Sequence, residues 1–258
     1  GKYISYVSDA TGEYEIYLLE NKKGAKPKQI TFNSKSWKYD HIWSPNSKYL
    51  LFFDRTLKLK LLTVENGTIK EVAGGFDDEI RDYQFSPDSK WVTYSNGTEN
   101  GNSAIYAYNI ENGQSSQLTD NSFNDYSPVF SKCGNYIFFL SNREFNLAFS
   151  SFEFTYLYNN ATRIFALALR KDSPKLFKFK NDVETVKADE SAAPKTDNAK
   201  AKDTKGKDTK ESPKSELNIK IDLDGITERI MDFPMGGGNY RGLEAVEGGI
   251  LYSSNDGL

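Results

Sequence analysis

One pattern, written three times, constrains this chain more than anything else in it. It reads Trp43-Ser44-Pro45-Asn46-Ser47-Lys48-Tyr49-Leu50-Leu51-Phe52-Phe53, then Phe85-Ser86-Pro87-Asp88-Ser89-Lys90-Trp91-Val92-Thr93-Tyr94. A looser third copy runs Phe130-Ser131-Lys132-Cys133-Gly134-Asn135-Tyr136-Ile137-Phe138-Phe139. The three serines stand 42 and 45 residues apart, the spacing of a four-stranded propeller blade. An aromatic residue closes one strand on its buried face. Ser-Pro-Asn/Asp-Ser then supplies the turn: proline fixes φ at the second position, and Asn or Asp suits the strained third. The apolar run after the turn reads as a strand buried on both sides between neighbouring blades.

A second unit recurs between the copies, as Glu15-Ile16-Tyr17-Leu18-Leu19-Glu20, Lys58-Leu59-Lys60-Leu61-Leu62-Thr63, Ala104-Ile105-Tyr106-Ala107-Tyr108-Asn109 and Arg163-Ile164-Phe165-Ala166-Leu167-Ala168. Twice a Glu-Asn-Gly turn comes after it, at Glu65 to Gly67 and Glu111 to Gly113, and Asn-Gly is the strongest short hairpin signal. The fold class is therefore all-β: a β-propeller of four-stranded antiparallel blades. Leu50, Phe52, Val92, Tyr94, Ile137 and Phe139 are expected at blade contacts. In this register residues 1–32 hold a blade without its first strand, and the pattern from Tyr240 to Tyr252 opens a blade that does not finish. About three complete blades and two partial ones are expected, with 1–258 as a single partial propeller domain cut from a longer protein.

Composition agrees, since aromatics are 14% of the chain against only 2 Met, a balance that suits half-buried strands. The net charge of −3 offers no electrostatic basis for nucleic acid or an anionic membrane. No apolar run approaches the roughly 20 residues of a membrane span. A single cysteine, Cys133, excludes an internal disulfide and fits a reducing, cytoplasmic compartment. The periplasm is the alternative, because any signal peptide would lie upstream of a chain that opens in a strand pattern.

Chemistry is scarce. A hydrolytic nucleophile needs a base beside it, and the lone histidine, His41, sits at the entry to a repeat strand with no plausible partner, where a structural hydrogen bond is expected. Cys133 lies in the turn equivalent to that of Pro45 and Pro87, which marks a repeat variant. No metal site and no cofactor are expected: one Cys and one His do not make a zinc site, and Asp222-Leu223-Asp224-Gly225 reads as a turn without later calcium ligands. Gly236-Gly237-Gly238 lacks the Lys-Ser/Thr of a phosphate loop and reads as a flexible connection between blades. No catalytic residue is assigned.

Two stretches break the repeat. Residues 181–216 contain no aromatic and little beyond Lys, Asp, Glu, Ala, Thr, Ser and Pro, so a disordered insertion is expected. After it, 217–222 and 226–231 resume strand-like alternation. Earlier, residues 147–158 form a long aromatic connection where most blade connections are short. It reads either as a local hydrophobic plug or as a substrate or partner surface on one face of the propeller; for the latter the candidate residues are Arg143, Phe145, Phe149, Phe152 and Tyr156.

Ser-Pro-Asp-Ser-Lys repeats are shared by TolB-like and prolyl-oligopeptidase-type propellers. The order here is narrower. Phe139-Leu140-Ser141-Asn142-Arg143-Glu144-Phe145-Asn146 is succeeded by Arg163 to Asp172, a charged insertion, Ile230-Met231-Asp232-Phe233-Pro234 and Gly238-Asn239-Tyr240-Arg241-Gly242-Leu243. This order resembles the second, seven-bladed propeller of tricorn-type serine proteases, which implies that about four to five of seven blades are present. The resemblance further implies PDZ and peptidase domains downstream in the same chain, a homo-oligomeric parent, and peptide substrates guided or filtered towards a catalytic core outside this sequence. A TolB-like binding module for a protein partner is the alternative.

Overall fold

The computed structural model describes residues 2–144, 147–151, 153–158, 160–177 and 217–254. The expected insertion at 181–216 lies outside the described residues. Gly1–Ser173 and Glu216–Leu258 form one compact unit, separate from Pro174–Ser215, and every described strand belongs to the first of these.

The strands fall into successive antiparallel sheets in chain order. Strands β1 (Tyr3–Ser8), β2 (Glu15–Glu20) and β3 (Lys28–Gln29) make a three-stranded sheet. The second sheet contains β4 (Lys38–Trp43), β5 (Tyr49–Asp54), β6 (Lys58–Thr63) and β7 (Ile69–Gly74). The third contains β8 (Tyr83–Phe85), β9 (Trp91–Gly97), β10 (Ser103–Asn109) and β11 (Gln114–Gln117). The fourth pairs β12 (Asp125–Phe130) and β13 (Tyr136–Ser141) with β16 (Arg163–Ala168) and β17 (Ile230–Asp232). Between β13 and β16 stands a separate hairpin, β14 (Leu147–Ser150) with β15 (Thr155–Tyr158). A last pair, β18 (Tyr240–Val246) and β19 (Gly249–Ser254), packs on the fourth sheet. These are four-stranded propeller blades, with three strands in the first and two in the last.

Every second residue of the repeat strand serves a different neighbour. Leu50 and Phe52 join Ile16, Leu18 and Ile30 of the first blade in one core, whereas Leu51 and Phe53 join Phe85, Val92 and Tyr94 of the third in another. A third core sets Ile105, Ala107 and Leu118 against Ile137, Phe139, Phe165 and Leu167. The six residues expected at blade contacts are all at most 2% exposed. A strand with core on both faces needs an unbroken apolar run, which explains why the repeat does not alternate.

The turns obey the repeat with one correction. The residue in the left-handed region is the fourth, Ser47 and Ser89 (φ 59° in both), replaced by Gly134 in the third copy. The third residue instead works through its side chain. Asn46 Oδ1 accepts from the Ser44 hydroxyl (2.8 Å) and the Lys48 N–H (3.0 Å), and Asp88 Oδ1 accepts from Ser86 (2.6 Å) and Lys90 (3.1 Å). Cys133 occupies that same position, its sulfur 3.4 Å from Ser131 Oγ. A further repeated device is Gln-Ile/Leu-Thr at Gln29 and Gln117. Its threonine hydroxyl oxygen accepts a third-strand N–H, from Ile16 to Thr31 (2.8 Å) and from Ile105 to Thr119 (3.0 Å).

The expected strand at 217–222 is not formed. This segment is an extended strap across the Ser-Pro-turn side of the third and fourth blades. The Ile219 N–H donates to Asp88 Oδ2 (2.7 Å), and its carbonyl accepts from the Trp91 indole (3.1 Å). The Ile219 side chain is buried in the core between the two blades. It lies so close to Gly134 that a Cβ there would stand 2.7 Å from Ile219 Cγ1. Of 226–231, Ile226–Arg229 is a short 3-10 turn and only the end belongs to β17. Asp222 and Asp224 bond to the Lys171 N–H and ammonium.

Candidate functional site

Strand direction sorts the connections between two ends of the sheets. Ser-Pro turns and Asn-Gly turns lie at one end; the loops joining second to third strands, and the links between blades, lie at the other. The inner strands β4 and β12 are bulged near this second end, between Lys38 and His41 and between Tyr126 and Val129. Bulges re-aim side chains and free backbone groups. Here the freed Asp40 carbonyl accepts from the Tyr83 hydroxyl of the next blade (2.7 Å). Likewise Ser127 N–H donates to Asp82 of the blade before (3.0 Å).

A cavity of about 730 Å³ opens at this end, among the first three blades. Tyr14, Trp37, Tyr39 and Tyr83 form aromatic walls, with Asp40, Glu79 and Arg81 among its polar lining. The Tyr14 and Trp37 rings lie 4.0 Å apart. Lys38 also borders the cavity, but its ammonium is buried against Glu15 (3.2 Å) and the Tyr14 carbonyl. None of these residues stood out in the sequence. Their common signal is aromatic residues clustered just before and within the inner strands, away from the Ser-Pro motif.

His41 has a partner that no local sequence pattern supplies. Its Nε2 lies 2.7 Å from Ser5 Oγ in the first blade. Burial holds the imidazole below its ordinary value, so the ring is neutral at pH 7 and Nε2 can accept the Ser5 hydroxyl hydrogen. Ser5 Oγ in turn accepts the Trp43 indole N–H (2.8 Å). Among the described residues no carboxylate bonds to the other ring nitrogen, so the pair lacks the group that orients a catalytic imidazole. The contact ties the first blade to the second. Because the folded-state value is depressed, the unfolded chain takes up the proton first, and stability falls as pH drops below about 6.5. Urea midpoints between pH 7 and pH 5 should therefore decline more steeply for the wild type than for His41→Gln; parallel curves would refute this coupling.

The five candidate surface residues divide. Phe149 and Tyr156 pair across the β14–β15 hairpin with rings 5.4 Å apart, and they are 57% and 66% exposed. Phe154 and Tyr158 of the same hairpin are exposed as well. Phe145 and Phe152 lie outside the described residues. Arg143 is turned inward. It donates to Asp125 (2.7 Å) and Ser141 (2.8 Å). It also stacks over Phe165, Phe123 and Phe139 with its guanidinium carbon 4.7, 4.9 and 5.6 Å from the ring centroids. Burial pushes the Asp125 carboxyl up, against the pull of Ser141 and Arg143.

A model of the tricorn protease second β-propeller domain matches residues 1–257. The chain belongs to that family. The tricorn protease of Thermoplasma volcanium is 29% identical over 169 residues, covering 63% of this chain and 16% of that protein. Tricorn protease homolog 1 of Streptomyces coelicolor is 25% identical over 195 residues, covering 76% and 17%. The chain thus spans about one sixth of the length of the curated relatives it matches. A crystal structure of the tricorn protease superposes with a TM-score of 0.70 at 15% identity over 94% of this chain and 21% of that one, a likeness of fold. In this tricorn propeller domain Gly237 and Gly238, between the fourth and fifth blades, are docked, whereas Gly236 stands in open space. Thr162 and Gly238 exchange both backbone hydrogen bonds (3.1 and 2.9 Å), and a Cβ on Gly237 would meet the Asn160 carbonyl at 2.4 Å. No helix among the described residues is long and apolar enough to cross a membrane.

Proposed function

We propose that this domain is a non-catalytic propeller of a tricorn-like serine peptidase, and that it guides or filters peptides on their way to a catalytic core carried elsewhere in the parent chain. The observation that carries the reading is the family match across residues 1–257. Two features support it. The described residues offer a serine–histidine contact whose serine also accepts the Trp43 indole N–H and which no carboxylate orients; this suits blade packing better than acyl transfer. The end of the blades opposite the Ser-Pro turns gathers aromatic side chains and bulged strands, the kind of surface that makes weak, exchangeable contacts with a passing chain.

The test has two arms. The purified domain should not hydrolyse fluorogenic peptides. In the full-length parent, replacing residues 147–158 by a short turn should change turnover of long peptides several-fold while leaving very short peptides nearly unaffected. Hydrolysis by the isolated domain that disappears with Ser5→Ala would overturn the reading. So would equal effects of the hairpin deletion on short and long substrates.

A further inference from the structure

The geometry points to the cavity among the first three blades as a recognition site for a basic peptide side chain, lysine or arginine. This inference rests on the passage reading and names what the mouth of the passage prefers. Three observations carry it. The bulge between Lys38 and His41 turns a regular inner strand into a rim that places Tyr39 and Asp40 in the lining of the cavity. The aromatic walls include Tyr14 and Trp37 in ring contact at 4.0 Å, and Trp37 is 47% exposed. Aromatic faces carry negative quadrupole density and attract ammonium and guanidinium groups.

The charge around these walls has the matching sign. Asp40 and Glu79 supply two carboxylates; of the cations lining the cavity Arg81 faces them, the Lys38 ammonium is buried against Glu15 and Tyr14, and Arg55 reaches the Tyr39 hydroxyl only from outside the lining. His41 is neutral at pH 7, held so by burial. Arg81 pairs with Glu79 at 3.1 Å with 73% of its side chain exposed. Glu79 is only 24% exposed and also holds the Tyr39 hydroxyl, so an incoming cation can displace the solvent-exposed guanidinium and meet a carboxylate that is already fixed in place. An acidic side chain would face both carboxylates. An apolar one would leave Asp40 beside it without a counter-charge. A lysine or arginine lays its methylene stem along the rings and its charge at Asp40 and Glu79.

Binding of three capped pentapeptides to the domain, measured by isothermal titration, tests this: alanine throughout except for lysine, norleucine or glutamate at the centre. The lysine peptide should bind about tenfold more tightly than the norleucine peptide, with the glutamate peptide weakest. The preference should shrink to about threefold or less in Asp40→Asn and in Trp37→Leu, two exposed positions, and weaken with salt. Asp9→Asn, an exposed carboxylate outside the cavity, should behave as wild type. Equal binding of lysine and norleucine, no binding at millimolar peptide, or an unchanged preference in Asp40→Asn would each overturn the proposal. The passage reading fails separately, if hairpin deletion in the parent affects short and long substrates alike, whatever the cavity prefers.

Discussion

Arg143→Ala is expected to lower the unfolding free energy by about 3–5 kcal/mol, the usual cost of breaking a buried pair from one side. Asp125 is fully buried, and Arg143 retains 18% exposure. Removing the guanidinium leaves the carboxylate with two neutral partners, the Ser141 and Thr119 hydroxyls, and opens a hole beneath Phe123, Phe139 and Phe165. Both consequences act in the same direction. The linkage with pH has a definite sign. Burial raises the Asp125 carboxyl, and losing Arg143 raises it further. The variant should then lose stability as pH rises from about 4 through the new folded-state value, where the unfolded chain gives up its proton first. Urea unfolding at neutral and acid pH would show the deficit narrowing in acid. A loss below about 1 kcal/mol at neutral pH would mean that the pair behaves as a surface contact.

Phe52→Ala is the second large effect, about 3–5 kcal/mol by comparison with other buried phenylalanines. Phe52 is 1% exposed and completes the core shared by the first and second blades. Among the described residues that core is smaller than the other two described above, and the first blade has only three strands. Where stability is a sum of blades and their interfaces, damage stays near the interface that is cut. Hydrogen exchange should therefore show protection lost first across β1 and β2, while amides of β13 and β16 keep theirs. Uniform loss of protection across all blades would show that the array unfolds as one cooperative unit instead.

The sheets were legible because each relies on chemistry confined to a few adjacent residues. Ser44, Asn46 and Ser47 close their turn among themselves, and Leu50 to Phe53 record burial on both faces in one unbroken run. What escaped depends on partners distant in the chain. Ser5 and His41 are 36 residues apart and meet only because two blades stack. Arg143 looked like a surface charge because nothing near it reveals that Asp125 waits beneath. Residues 217–222 alternate like a strand, yet alternation reports only an extended backbone with two kinds of environment. Whether such a segment joins a ladder or lies as a strap is decided by the neighbours, here Asp88 and Trp91. The cavity was unread for the same reason, since Tyr14, Trp37 and Tyr83 come from three blades.

The fourth sheet holds its register across two long interruptions. Ser141 of β13 still pairs with Arg163 of β16 although the aromatic hairpin intervenes, and Leu167 of β16 pairs with Ile230 of β17 across more than sixty residues of chain. For strand partners in general, the penalty for a longer connection grows only with the logarithm of its length. The return end is fastened by Ile219, Asp222 and Arg229 before it re-enters the sheet, which shortens the part that remains to be closed. A blade built this way is a graft-tolerant frame: its ends can acquire or discard whole segments while the strands keep their partners. New recognition surfaces can then arise at either rim by insertion alone, without any residue of the inter-blade cores having to change.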